Sequence, residues 1–296
     1  MVRQGSASRH LMNAKAGEHR RAYNRQRFPS SLPLSRYSKI PLFSVQMEDL
    51  YNAITDGRDD DAIELLDRDV PMTINHFALA TRMKRYKIVD DFIQRGWDID
   101  THVDSLTPSC LVYTFDDIKL LRWFLDHGAS PNKRCLIRDY TPLSCAVQHA
   151  SFEAIQLLFQ HGGSIEHGQL LHYASLRSHP DNLEVLKYIY DKNPNFNAAI
   201  INKLLDENSP RDFAHNYRAG LGTPLHFAAL QGSLECVRFL VEKGANPWIQ
   251  DPYRKTALSI AIYANHEPVI RFLKSLKDHE WGQYPRHTQA AAGIVA

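Results

Sequence analysis

The chain has 296 residues, 44% hydrophobic and 23% charged, with a formal net charge of +2, so it can bury a large core. No apolar run is long enough to cross a membrane. The four cysteines (Cys110, Cys135, Cys145, Cys236) show no paired-ligand spacing, which fits a reduced cytoplasmic or nuclear compartment better than secretion.

Residues 1–44 read as a basic, disordered arm. Its first forty residues hold nine Lys and Arg against one acid, Glu18, a balance of +8 that leaves −6 for the rest. Ser and Pro are present, apolar residues are few and no period is visible. A leader of this kind also suits organelle targeting, nuclear import or contact with an anionic partner. Arg20-Arg21 and Arg25-x-Arg27 are sparse for an import signal.

Between residues 45 and 278 a two-helix pattern recurs. Glu48–Leu66 keeps Leu50, Ala53, Ile63, Leu65 and Leu66 in phase. The next copy runs from Asn75 to Gly96, with Phe77, Ala80, Val89, Phe92 and Ile93 in phase. Thr107 to Gly128 and Thr141 to Gly162 repeat the same spacing of 21. Another copy opens at Gln169-Leu170-Leu171-His172 and needs three extra residues around Ser178–Asp181 before Leu183–Tyr190. An insertion follows at about 198–220, of which Ala198–Leu205 reads as a short helix capped by Asn197. Such a unit has no interior of its own and survives by stacking on copies of itself.

The fullest copy is Gly222–Asp251, GTPLHFAALQGSLECVRFLVEKGANPWIQD. Thr223 and Pro224 suit a helix start. Gly232 breaks that helix and Ser233 caps the next, whose Val237, Leu240 and Val241 share one face until Gly244 stops it. Thr256-Ala257-Leu258-Ser259-Ile260-Ala261 opens the last copy, and residues 279–296 form a tail without the period. TPLHFA, the glycine break, the apolar second helix and KGANP resemble an ankyrin repeat, with its period of about 33 residues.

The resemblance implies an all-α ankyrin-repeat solenoid of about seven helix–turn–helix repeats with finger-like β-turns. It implies a protein–protein interaction scaffold or adaptor, monomeric and not an enzyme, with a protein partner and no role for membrane or nucleic acid. In that family the residue before the motif Thr and the two before the mid-repeat Gly face a shared groove. Here these are Arg82 and Met83; Leu106, Thr114 and Phe115; Tyr140, Gln148 and His149; Leu176 and Arg177; Leu230 and Gln231; Lys255 and Tyr263. Phe115 and Tyr140 come from neighbouring repeats and are expected to form one aromatic anchor, with Arg82, Arg177 and Lys255 as a basic rim.

The sequence offers little chemistry. His172 and His226 take the His of the motif, which in the family ties neighbouring turns together. His127 and His161 precede glycines at helix ends, where a cation suits the dipole. Asp59-Asp60-Asp61 lacks the spacing of a calcium loop and reads as a helix cap. His266-Glu267 lacks the second His of a zinc-protease helix, and no phosphate loop, dinucleotide fingerprint or nucleophile elbow is present. The expectation is no catalytic residue, no metal and no cofactor. Two other readings stand beside the scaffold: a regulatory chain whose basic arm directs localisation, and an enzyme with a small-molecule pocket.

Overall fold

Helices in this chain start where a short polar side chain can accept backbone N–H groups. Thr141 Oγ1 accepts from Ser144 N (3.1 Å) while Ser144 Oγ accepts from Thr141 N (3.1 Å), so two otherwise orphaned donors are satisfied at once. Thr256, Ser151, Ser233 and Asp117 cap their helices by accepting a backbone N–H of the first turn, without the return bond. The computed structural model describes residues 42–193, 197–205 and 222–276. The basic arm up to residue 41, most of the expected insertion and the tail from 277 lie outside the described residues.

In chain order the helices are α1 (Leu42–Asp56), α2 (Asp59–Asp67), α3 (Ile74–Arg82) and α4 (Tyr86–Gln94), then a 3-10 turn (Cys110–Tyr113) and α5 (Ile118–Asp126). They continue with α6 (Pro142–His149), α7 (Phe152–Gln160), α8 (Leu170–Ser175), α9 (Asn182–Asp191) and the short α10 (Ala198–Ile201). The last are α11 (Pro224–Gln231), α12 (Leu234–Glu242), α13 (Ala257–Tyr263) and α14 (Glu267–Ser275). Among the described residues no strand is present.

The helices pack in two layers. One layer runs α1, α3, the 3-10 turn, α6, α8, α11, α13, each element touching the next of that layer wherever both follow in this order. In the other layer α2 meets α4, α5 meets α7, α9 meets α12 and α12 meets α14. Because α8 packs on α11 and α9 on α12, the stack continues across residues 194–221. The core follows the layers as a stripe: Phe77, Phe92, Leu111, Phe124, Leu143, Ile155, Leu186, Leu225 and Val237 are all buried. Fully burying side chains of this size contributes roughly 1.5–3 kcal/mol each.

Four local expectations need correction. The second copy starts at Thr73, not Asn75: Thr73 caps α3 and its hydroxyl bonds His76 Nδ1 (3.0 Å), the arrangement that Thr223 and His226 also make. The first helix of the third copy is only a 3-10 turn, with Thr114 Oγ1 donating back to the Leu111 carbonyl (2.8 Å); a β-branched residue that bonds its own backbone competes with α-helix. The helix expected over Ala198–Leu205 stops at Ile201. Asp59–Asp61 occupy the first turn of α2 without capping it, since the cap position is Arg58.

Candidate protein-interaction face

Two sets of hydrogen bonds lock one repeat to the next and fix which side chains are left over. The first set uses the fourth residue of the motif. His226 Nδ1 accepts from Thr223 N (3.1 Å), so its proton sits on Nε2 and is donated to the Lys255 carbonyl (3.0 Å). His172 Nε2 lies 3.0 Å from the Lys203 carbonyl, and Ser144 Oγ donates to the Gly168 carbonyl (2.7 Å). Burial keeps these imidazoles neutral: it lowers His226 and pushes His172 down to about 4.

The second set reaches backward from the mid-repeat turn. Arg177 Nη1 donates to the Val147 carbonyl (3.1 Å) and Nη2 to the Ala150 carbonyl (2.8 Å), at the C-terminal end of α6. Its other N–H groups grip Asp181 bidentately at 2.7 Å, and this pairing holds the Asp181 carboxyl below its ordinary value. Arg85 does the same for the first pair, donating to the Gly57 carbonyl and to Asp59. His266 Nε2 lies 2.9 Å from the Leu230 carbonyl. Gly232 makes room for that contact: its φ is +75°, and a Cβ there would lie 2.4 Å from His266 Nδ1.

The turns between repeats carry a third device. Asn132 donates to the Gly162 carbonyl (2.8 Å) and accepts from Ser164 N (2.8 Å). Asn202 makes the matching pair with Gly244 (3.0 Å) and Asn246 (2.7 Å). Residues 197–205 thus complete the turn of the preceding repeat, and Leu205 N then bonds the Gly222 carbonyl.

Against this frame the sequence-predicted face divides. Arg82, Met83, His149, Lys255 and Tyr263 are exposed, Met83 at 46% and Tyr263 at 53%. Arg82 lies over the Tyr113 ring (5.2 Å) and Lys255 over Tyr263 (5.5 Å). Phe115, Gln148, Leu230 and Gln231 are half-buried, as is Leu106. Thr114, Tyr140, Leu176 and Arg177 are buried. The Arg177 side chain is 0% exposed, so it is no rim cation. Tyr140 is 7% exposed, packed edge-on against Tyr173 (4.9 Å) beneath the Arg138 guanidinium (4.0 Å), so it forms no open patch with Phe115.

Several exposed residues escaped the sequence reading. Leu136, Tyr253 and Ile262 are open to solvent. Lys84 bonds Asp116 (3.1 Å) in the next repeat. Burial raises all four cysteines, Cys135 to about 11, so the thiols stay protonated at neutral pH. No group of three His, Cys, Asp or Glu side chains is placed to hold a metal ion among the described residues. No helix among them is long and apolar enough to cross a membrane.

Stacked helix pairs tied through their turns, with polar and aromatic side chains left at the ends of the first helices, define a helical-repeat interaction domain. The family model described as ankyrin repeats (3 copies) matches residues 109–199 and 171–282. The chain belongs to the ankyrin-repeat family. It is similar over 90 residues (37% identical, 30% of this chain and 20% of the relative) to the serine/threonine-protein kinase VIK of Arabidopsis thaliana. Over 143 residues it is 30% identical to the probable E3 ubiquitin-protein ligase XBOS32 of Oryza sativa subsp. japonica, covering 43% of this chain and 29% of the relative. The putative E3 ubiquitin-protein ligase XBAT34 of Arabidopsis thaliana is 43% identical over 61 residues, 20% of this chain and 16% of the relative. The chain thus spans less than a third of the length of these relatives.

Proposed function

We propose that this chain is a non-catalytic scaffold or adaptor of seven ankyrin repeats, one per helix pair, that captures an acidic segment of a partner protein along the ends of its first helices. One observation carries the reading. Arg82 and Met83 in one repeat and Lys255 and Tyr263 near the other end expose cations beside apolar surface, and neither Arg82 nor Lys255 is in an ion pair among the described residues. Aromatic residues, Met and Arg are enriched at the centres of protein interfaces, and exposed cations steer acidic partners. The resemblance to kinase and ligase chains supports the interaction role and leaves their activities with the relatives, because the match covers so little of each.

Capture from native extract with mass identification tests this reading. The wild-type chain is expected to retain a discrete partner with an acidic segment, and an Arg82→Glu/Lys255→Glu variant to lose most of it. Equal recovery by both would remove the face from consideration. The reading also places the protein in the cytoplasm or nucleus, with the +8 arm as a candidate address. Imaging the full chain beside one in which Arg20, Arg21, Arg25 and Arg27 are changed to Gln tests the arm.

A further inference from the structure

The two ends of the described stack are finished differently. At the first end, the groove between α1 and α2 is lined by Asp49, Asp56, Asp61 and Glu64 with Arg58 and Arg68, the polar outer face that a terminal repeat needs. The last described repeat lacks such a face on its first helix. The third, fourth and seventh residues of the motif share one side of that helix, and the fourth reaches toward the following turn in α6, α8 and α11. That side is buried in the earlier copies, as Leu143, Ser144 and Val147 in α6 and Leu225, His226 and Ala229 in α11. In α13 the same positions are Leu258, half-buried, Ser259, exposed, and Ile262, 49% exposed. No Asp, Glu, Lys or Arg lies between Thr256 and His266 to make this strip polar.

The second helix of the same repeat carries a charged row beside the strip. Arg238 of α12 lies over the Phe272 ring of α14 (5.5 Å), so the side of α12 bearing Leu234, Arg238 and Val241 faces the following repeat. Counted from the caps Ser233 and His266, the matching residues of α14 are Glu267, Arg271 and Lys274, all exposed. The row is negative at its start and positive toward its end, with Glu267 3.9 Å from Arg271. We infer that this end face pairs with the same face of a second copy about a twofold axis, so the protein is a dimer and not the monomer that the resemblance implies. Such an axis sets the two α14 helices antiparallel and brings Glu267 of each copy against Lys274 of the other. Leu258 and Ile262 of the two copies then cover one another. Two features select a second copy as the occupant. The charged row is complementary to its own reverse, and the opposite end of the stack is unsuited, because its ion pairs would lose water against an apolar strip without gaining partners. The inference does not rest on the partner-binding reading.

Sedimentation velocity on the full-length chain, from about 1 μM to about 200 μM, is expected to show a dimer that dissociates on dilution. Glu267→Lys and Lys274→Glu, made in separate chains, each set like charges together at both symmetric contacts. Each should weaken self-association about ten-fold or more, and an equimolar mixture of the two should recover a mixed dimer within about three-fold of wild type. Ile262→Glu should abolish the dimer in the same range by placing a charge in the apolar strip. All three side chains are exposed, so thermal melts of the variants should match wild type. A wild-type chain that stays monomeric up to about 200 μM overturns the inference. So does a dimer that the three variants leave intact, which places the contact elsewhere. A mixture that associates no better than either charge variant alone rejects the twofold register.

Discussion

The two edges of the stack hold their neighbours by different means. On the turn edge, the fourth residue of the motif reaches forward in three copies, where His172, His226 and Ser144 each bond a carbonyl of the turn that follows, whereas His76, fourth from Thr73, reaches back to the Met47 carbonyl (3.0 Å). On the mid-repeat edge, a donor reaches backward: Arg85, Arg177 and His266 each bond a carbonyl of the repeat before. The first edge is written in a fixed place of the repeating unit. The second changes residue type from copy to copy, with Arg85 and His266 at the cap of the second helix and Arg177 four residues ahead of that cap, and it diverts into the structure a cation that register alone would assign to binding.

The largest test of that contrast is Arg177→Ala. It strips two helix-end carbonyls and Asp181 of their donor in a buried site, so unfolding by denaturant should show a loss of about 3–5 kcal/mol. Arg82→Ala, at an exposed position, should stay within about 0.5 kcal/mol. Equal losses would mean that the buried clasp carries no special weight.

Acid should loosen the turn edge next. His172 sits near 4 in the fold, below the ordinary value of about 6.5, because burial disfavours the charged ring. The unfolded chain therefore binds the extra proton first. Stability from this group is complete above about pH 6.5 and falls as pH drops toward 4, by about 3 kcal/mol at pH 4. Denaturant midpoints across that range check it; a His172→Gln chain should show a shallower slope.

His226→Ala should cost about 2–3 kcal/mol, since the Lys255 carbonyl and Thr223 N–H lose their shared partner. Ser144→Ala, which removes one short bond to Gly168 and half a capping box, should cost about 1 kcal/mol. Thermal melts of the two variants rank them; the reverse order would show that the imidazole is not the stronger link.

The repeating unit itself was legible because its signals are local. Thr223-Pro224, Ser233 and Gly244 act on their own helices, and their effect survives any tertiary context. The roles of His172 and His226 were legible through the family motif. What escaped depends on neighbours. Arg177 is buried because the extra residues Ser178–Asp181 delay α9 and bring Asp181 back onto the guanidinium, beneath the end of α6. Tyr140 is buried because Tyr173 of the next repeat and Arg138 close over it. Thr73 was missed as a start because Ile74 and Asn75 replace the Pro and Leu of the motif, leaving only the Thr and His to mark it. Periodicity finds the register of a face; it does not say which members of that register a neighbour will cover.

Titration of the captured partner against three chains puts the central claim most directly at risk: wild type, Arg82→Glu/Lys255→Glu, and Arg122→Glu/Lys274→Glu, exposed on the second helices α5 and α14, as a control with the same charge change. Binding confined to the first-helix ends predicts that the double variant weakens Kd by about ten-fold or more, mainly through slower association that fades at high salt, while the control binds as wild type. Unchanged affinity for the double variant, or an equal loss in the control, would contradict it.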